Sequence, residues 1–100
     1  MSVETVVDFT SVRNRNEQAV FAAVARHAGR FPGVADNPEL LADVACVALN
    51  RLPPRYIRHE VDFVFYLSER ERSRNERHLA EAVEYAFGFV QARTAMRARG

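Results

Sequence analysis

Apolar residues recur at two different periods along this 100-residue chain, and the changes of period mark its elements. Val20, Phe21, Val24 and Ala28 fall three to four residues apart, the spacing of one helix face. Leu40, Leu41, Val44, Val47, Ala48 and Leu49 do the same, with apolar residues over much of the circumference. That second helix should lie at the centre of the packing. Leu79, Ala82, Val83, Ala86, Phe87 and Val90 form a third helical stripe. Phe87 and Phe89 lie on different faces of it, so one can meet the core and the other a partner. Between the second and third stripes the period drops to two. Val61, Phe63, Phe65 and Leu67 alternate with Asp62, Val64 and Tyr66, which predicts a strand within an extended piece from Tyr56 to Leu67. Weaker alternation of Val3, Thr5, Val7 and Phe9 suggests a short strand or ordered arm at the start.

Caps and breakers sharpen the boundaries. Asn14 followed by Glu17 has capping-box spacing and predicts a helix start there, with Asn16 as a competing cap. Gly29 and Pro32 end that element. Asp36-Asn37-Pro38-Glu39 sets a capping residue ahead of a first-turn proline and opens the second helix. Pro53-Pro54 stops it, because the residue before a proline avoids the helical region. Ser68 with Glu71 and Ser73 with Glu76 are two possible caps for the last helix. Arg93, Arg97 and Arg99 near its end complement the helix dipole.

The expected architecture is mainly α with a short β element. It has three main helices plus one extended strand in a single domain over 1–100, an arm at 1–13 and a helical core at 14–97. A lone strand leaves its backbone donors and acceptors without partners. It should therefore pair with the N-terminal arm or with its own copy across a two-fold axis, and the second option predicts a homodimer.

Composition narrows the function. The formal net charge is +1, which disfavours a general nucleic-acid binder. No apolar run approaches the length of a membrane span, and the acidic N-terminus does not resemble a signal peptide, so a cytoplasmic location is expected. Cys46 is the single cysteine; set among Val44, Ala45, Val47 and Ala48, it reads as a buried small hydrophobe. His27, His59 and His78 lack metal-ligand spacing, so no metal is expected. Nucleophile-elbow, phosphate-loop and paired-carboxylate patterns are absent from the sequence, which argues against an enzyme. All 14 basic residues are arginine. Codon bias in a GC-rich genome accounts for that most simply, yet it means any anion site must use guanidinium forks.

The segment richest in such groups is NRLPPRYIRHEVDF, residues 50–63. Arg51, Arg55 and Arg58 stand within eight residues, beside Tyr56 and His59, on a loop stiffened by two prolines. Guanidiniums grip phosphate oxygens or the O6 and N7 edge of guanine, and Arg and Tyr planes stack on bases. Asp62 or Glu60 could accept from a guanine's donor edge. The plainer reading is structural: arginines that satisfy helix-end carbonyls and acids that neutralise them. SERERSRNER, Ser68 to Arg77, alternates in sign and reads as a solvated helix start, with Arg70, Arg74 or Arg77 as secondary candidates to reach a ligand. Arg13 and Arg15 have a similar status, as an arm over the site.

The stretch DVACVALNRLPPRYIRHEVDF, Asp43 to Phe63, resembles the signature of the late competence development ComFB family: an Ala- and Leu-rich helix ending in Asn, Leu-Pro-Pro and an aromatic. Asn16-Glu17 and the last helix, AEAVEYAFGFV, are similar to that family too, and the likeness runs from about Asn14 to Val90. The resemblance implies a non-catalytic protein. In one branch it implies a receptor for cyclic dinucleotides, c-di-GMP above all, that acts on an as yet unidentified downstream protein. A second branch carries cysteines ahead of the second helix and binds zinc. Residues 29–42 hold no cysteine here, so zinc is not carried over. The site expected from the loop's chemistry is Arg51, Arg55, Tyr56, Arg58, His59 and Asp62. A competence or pilus adaptor without a nucleotide ligand is the other reading.

Overall fold

The computed structural model describes residues 7–59, 61 and 67–99. Its order is β1 (Arg13–Asn14), α1 (Asn16–His27), a 3-10 turn (Ala28–Arg30), α2 (Pro32–Ala35), α3 (Pro38–Arg51), β2 (Tyr56–Ile57) and α4 (Glu69–Arg99). A small helical domain with a minor β element is thus borne out. α3 packs against α1, α2 and α4, as its broad apolar surface predicts.

Small side chains make the core. Val20, Ala23 and Val24 of α1, Val34 of α2, and Val44, Ala45 and Ala48 of α3 are buried. They meet Ala82, Val83, Ala86, Phe87 and Val90 of α4. Phe87 is the largest fully buried side chain, and its ring stacks on Phe31 at 4.4 Å. The predicted stripe of the last helix is therefore the face that packs. Phe89, on another face, is exposed.

The caps divide. Asn37 Oδ1 accepts from the Glu39 and Leu40 amides, with Pro38 in the first turn, as expected for α3. Ser68 Oγ accepts from the Glu71 amide at 3.1 Å, so the first of the two serines starts α4. Ser73 lies inside the helix. The start expected at Asn14 is corrected. α1 begins at Asn16 behind Arg15, whose side chain makes no cap, because Asn14 is taken into β1. Gly29 and Pro32 do end α1, but the chain continues through the 3-10 turn into α2. Cys46 is corrected too: it is exposed, because α3 turns Val44, Ala45 and Ala48 inward and leaves Cys46 on the outer face. Arg93 does not simply serve the dipole; its Nη2 donates to Asp43 Oδ2 of α3 at 2.9 Å.

β1 and β2 pair antiparallel, with Arg13 opposite Ile57 and Asn14 opposite Tyr56. The start of the extended piece thus meets the end of the N-terminal arm. The strand expected over 61–67 and the arm residues 1–6 lie outside the described residues, apart from Val61 and Leu67; those two depart from the expectation, since Val61 is helical and Leu67 belongs to no helix or strand. The whole is flat, 56 × 40 × 19 Å.

Candidate functional site

The small sheet creates the site by tying the chain's beginning to the loop after α3. Asn14 Oδ1 accepts from both the Asn16 and the Arg55 amides at 3.1 Å. The Arg15 amide donates to the Arg55 carbonyl at 2.7 Å. Asn16 Nδ2 donates to the Pro53 carbonyl at 2.8 Å. Pro53 and Pro54 offer no backbone donors, so side chains and the opposing strand supply the bonds that hold this loop. The result is a fixed corner at which the head of α1, the proline loop and the first turns of α4 converge.

A pocket of about 230 Å³ opens at that corner. Its apolar lining is Ala19, Leu52, Pro53, Leu67 and Leu79. Its polar lining is Arg15, Asn16, Arg55, Arg72, Asn75, Glu76 and His78. A lining that combines three arginines with apolar side chains suits a planar ring that carries an anion. Arg55 Nη2 donates to Asn75 Oδ1 at 2.8 Å, which couples the loop to α4.

Asn75 is more than a brace. Guanidinium can only donate, so the bond to Arg55 requires Asn75 to present its oxygen there and its Nδ2 elsewhere. That Nδ2 is buried and meets no hydrogen-bond partner. A buried donor left unmet costs about 1–3 kcal/mol, which a ligand acceptor would recover.

The structure divides the residues expected to form one site. Arg55 lines the pocket. Arg51, the last residue of α3, instead lays its guanidinium over the Tyr85 ring of α4, 3.7 Å from the centroid. Tyr56 is 68% exposed in β2, and Arg58 and His59 are exposed beyond it; none of the three lines the pocket. Asp62 and Glu60 lie outside the described residues. Of the secondary candidates Arg15 lines the pocket, whereas Arg13, Arg70, Arg74 and Arg77 do not.

Arg72 and Asn75 went unnoticed in the sequence, although a signal was present. Stepping back from Leu79 by four and then three residues along the buried stripe reaches Asn75 and Arg72. The pocket is where the packed face of α4 turns polar.

A second hollow, between α1 and α3, is almost entirely apolar. Phe21, Ala25, Leu41, Ala42, Cys46 and Leu49 line it. Among the described residues no group of His, Cys, Asp or Glu is placed to hold a metal ion. No helix there is long and apolar enough to cross a membrane.

No curated protein sequence and no solved structure matches the chain. A family model does match, over residues 13–94, and it is that of the late competence development protein ComFB. The matched span starts at the first residue of β1 and runs past Val90, the last buried residue of α4. It takes in the tied corner, the pocket and the whole core. The proline loop that carries the resemblance is thus the loop that β1 and Asn14 hold in place, and the chain belongs to the ComFB family.

Proposed function

We propose that this protein is a cytoplasmic receptor for c-di-GMP that passes ligand binding to a downstream protein. Family membership gives the coarser assignment, a competence-related protein. The finer reading rests on one observation: Arg15, Arg55 and Arg72 line a single pocket together with Ala19, Leu52, Pro53, Leu67 and Leu79. Guanidinium forks suit the ligand's phosphates, and the apolar side chains suit a purine ring. The chain works as a binding module, without catalysis.

At about 230 Å³ the pocket is smaller than the usual range of roughly 300–1,000 Å³ for a small-molecule site. It suits one guanine half of a cyclic dinucleotide and leaves the other half outside. A two-fold ligand of that kind fits a homodimer in which each protomer takes one half. Binding then favours one arrangement of the pair and alters its affinity for the downstream protein.

The test is isothermal titration of the purified protein with c-di-GMP, with c-di-AMP and GTP as controls. Saturable micromolar or tighter binding, lost in Arg55→Glu with the helical spectrum intact, supports the reading. One ligand per two chains, with a dimer in sedimentation, supports the shared arrangement. No heat from a folded sample with any of the three overturns the receptor reading.

A competence or pilus adaptor without a nucleotide ligand is favoured by a separate observation. Tyr85, Phe89 and Met96 leave an apolar stripe exposed on α4. That reading predicts no thermal shift with any nucleotide, and loss of partner capture in Phe89→Ser.

A further inference from the structure

We propose that Asn75 and Glu76 form a base-reading pair that selects guanine over adenine, a step that deepens the c-di-GMP reading and rests on it. The starting point is the unmet donor. Asn75 lines the pocket, its Nδ2 is buried without a partner, and its oxygen is already committed to Arg55. The neighbouring pocket residue, Glu76, offers a carboxylate that can only accept. A donor beside an acceptor is the complement of one base edge. Guanine presents the O6 acceptor next to the N1–H and N2–H donors. Adenine presents the reverse, an N6–H donor next to the N1 acceptor. In the pocket, Asn75 Nδ2 donates to O6 and the Glu76 carboxylate accepts from N1–H and N2–H, in the manner of proteins that read an unpaired base on its Watson–Crick edge. An adenine in the same place sets donor against donor and acceptor against carboxylate. Both mismatches leave desolvated polar groups without partners, the strongest form of rejection available to a small site.

Arg55 is a positioning residue in this arrangement as well as a phosphate ligand. Its bond to Asn75 Oδ1 fixes which end of the amide faces the base. Because Nδ2 is closed off from solvent, the base reaches it only as the groups that cover it move aside. Ligand entry and that movement are therefore one event.

The experiment compares c-di-GMP and c-di-AMP by isothermal titration for the whole wild-type protein, Asn75→Asp and Glu76→Gln. Asn75→Asp keeps an oxygen for Arg55 and replaces the donor by an acceptor. Glu76→Gln keeps the size of an exposed side chain and adds a donor. Circular dichroism confirms that both fold. The expected result is a loss of about tenfold or more in c-di-GMP affinity in each variant, as for a lost hydrogen bond to a charged group. The gap between the two ligands should narrow in Glu76→Gln, whose amide can donate to adenine N1. Wild-type-like c-di-GMP binding by both variants, or equal binding of the two ligands by the wild type, overturns the pair and leaves the receptor reading standing. Failure of the wild type to bind either ligand overturns both.

Discussion

The two ends of α4 are built on different principles. Around Phe87 the helix meets Val and Ala from three other helices, and no polar side chain is buried there. Around Asn75 it meets guanidiniums, amides and a proline loop held by hydrogen bonds from residues 37 and 41 positions away. The first region gains its stability chiefly from burial without direction, with the Arg30–Glu84 and Arg93–Asp43 pairs at its edge and Arg93 Nε as its own unmet donor. The second gains position from a few directed bonds and leaves one donor unmet. A stable domain can carry an unsatisfied site only where the rest of the core offsets its cost.

Removing the anchor of the packed region should have the largest effect. Phe87→Ala deletes a fully buried ring and its stacking on Phe31. We expect a loss of about 3–5 kcal/mol, a large share of what a domain of this size has, measured by urea denaturation. A loss below about 1 kcal/mol would mean that the core does not centre on that ring.

The tied corner should respond less in stability and more in ligand binding. Asn14→Ala leaves the Arg55 and Asn16 amides without their acceptor. A cost of about 1–3 kcal/mol is expected. Hydrogen exchange should quicken at Arg15 and Arg55 while Val83 and Phe87 stay protected. Uniform loss of protection would show that corner and core are one cooperative unit.

Arg51→Ala sharpens the contrast further. It removes a cation–π contact on an exposed ring, worth about 0.5–1 kcal/mol. Titration should show c-di-GMP affinity unchanged, since the side chain lies on Tyr85 and outside the pocket. A tenfold fall would return Arg51 to the binding site.

The smallest effect is at Asp8, in neither region. The Thr10 hydroxyl and then the Thr10 amide, both donating to Oδ1, hold its carboxyl below the ordinary aspartate value of 3.8. The contact is complete above that value and is lost as pH falls through the lowered one. A carbon-detected NMR titration should place the Asp8 midpoint below 3.8, and Thr10→Ala, which removes the hydroxyl and keeps the amide, should return it part of the way.

Most of the packed region was legible in the sequence, and little of the pocket was. Helical spacing depends on neighbours three and four residues apart, so Ala82, Val83, Ala86 and Phe87 announce their own face. Asn37 and Ser68 act within their own turns and are equally local. Asn14 and Cys46 were misread for opposite reasons. Asn14 sits in β1 and shares its side-chain oxygen between the Asn16 amide at the head of α1 and the Arg55 amide, forty-one residues away. Cys46 has apolar neighbours in sequence, but a helix surrounded by them still has an outer face. The arginines of residues 51–58 are close in sequence and diverge in space. Arg51 ends a helix, Arg55 turns inward at the sheet, and Arg58 follows the strand outward. Clustering along a chain predicts clustering in space only within one regular element.

The helix that walls the pocket also bears the exposed Phe89 and Met96. From Asn75 to Met96 it is unbroken, about 31 Å at 1.5 Å per residue. Such a rod converts angle into distance. A tilt of a few degrees where a base presses on Asn75 would carry Met96 through an ångström or two, the scale of the helix shifts by which protein interfaces switch. Arg93, joined to Asp43 across α3 and α4, stands three residues short of Met96, and their bond resists the swing of that end.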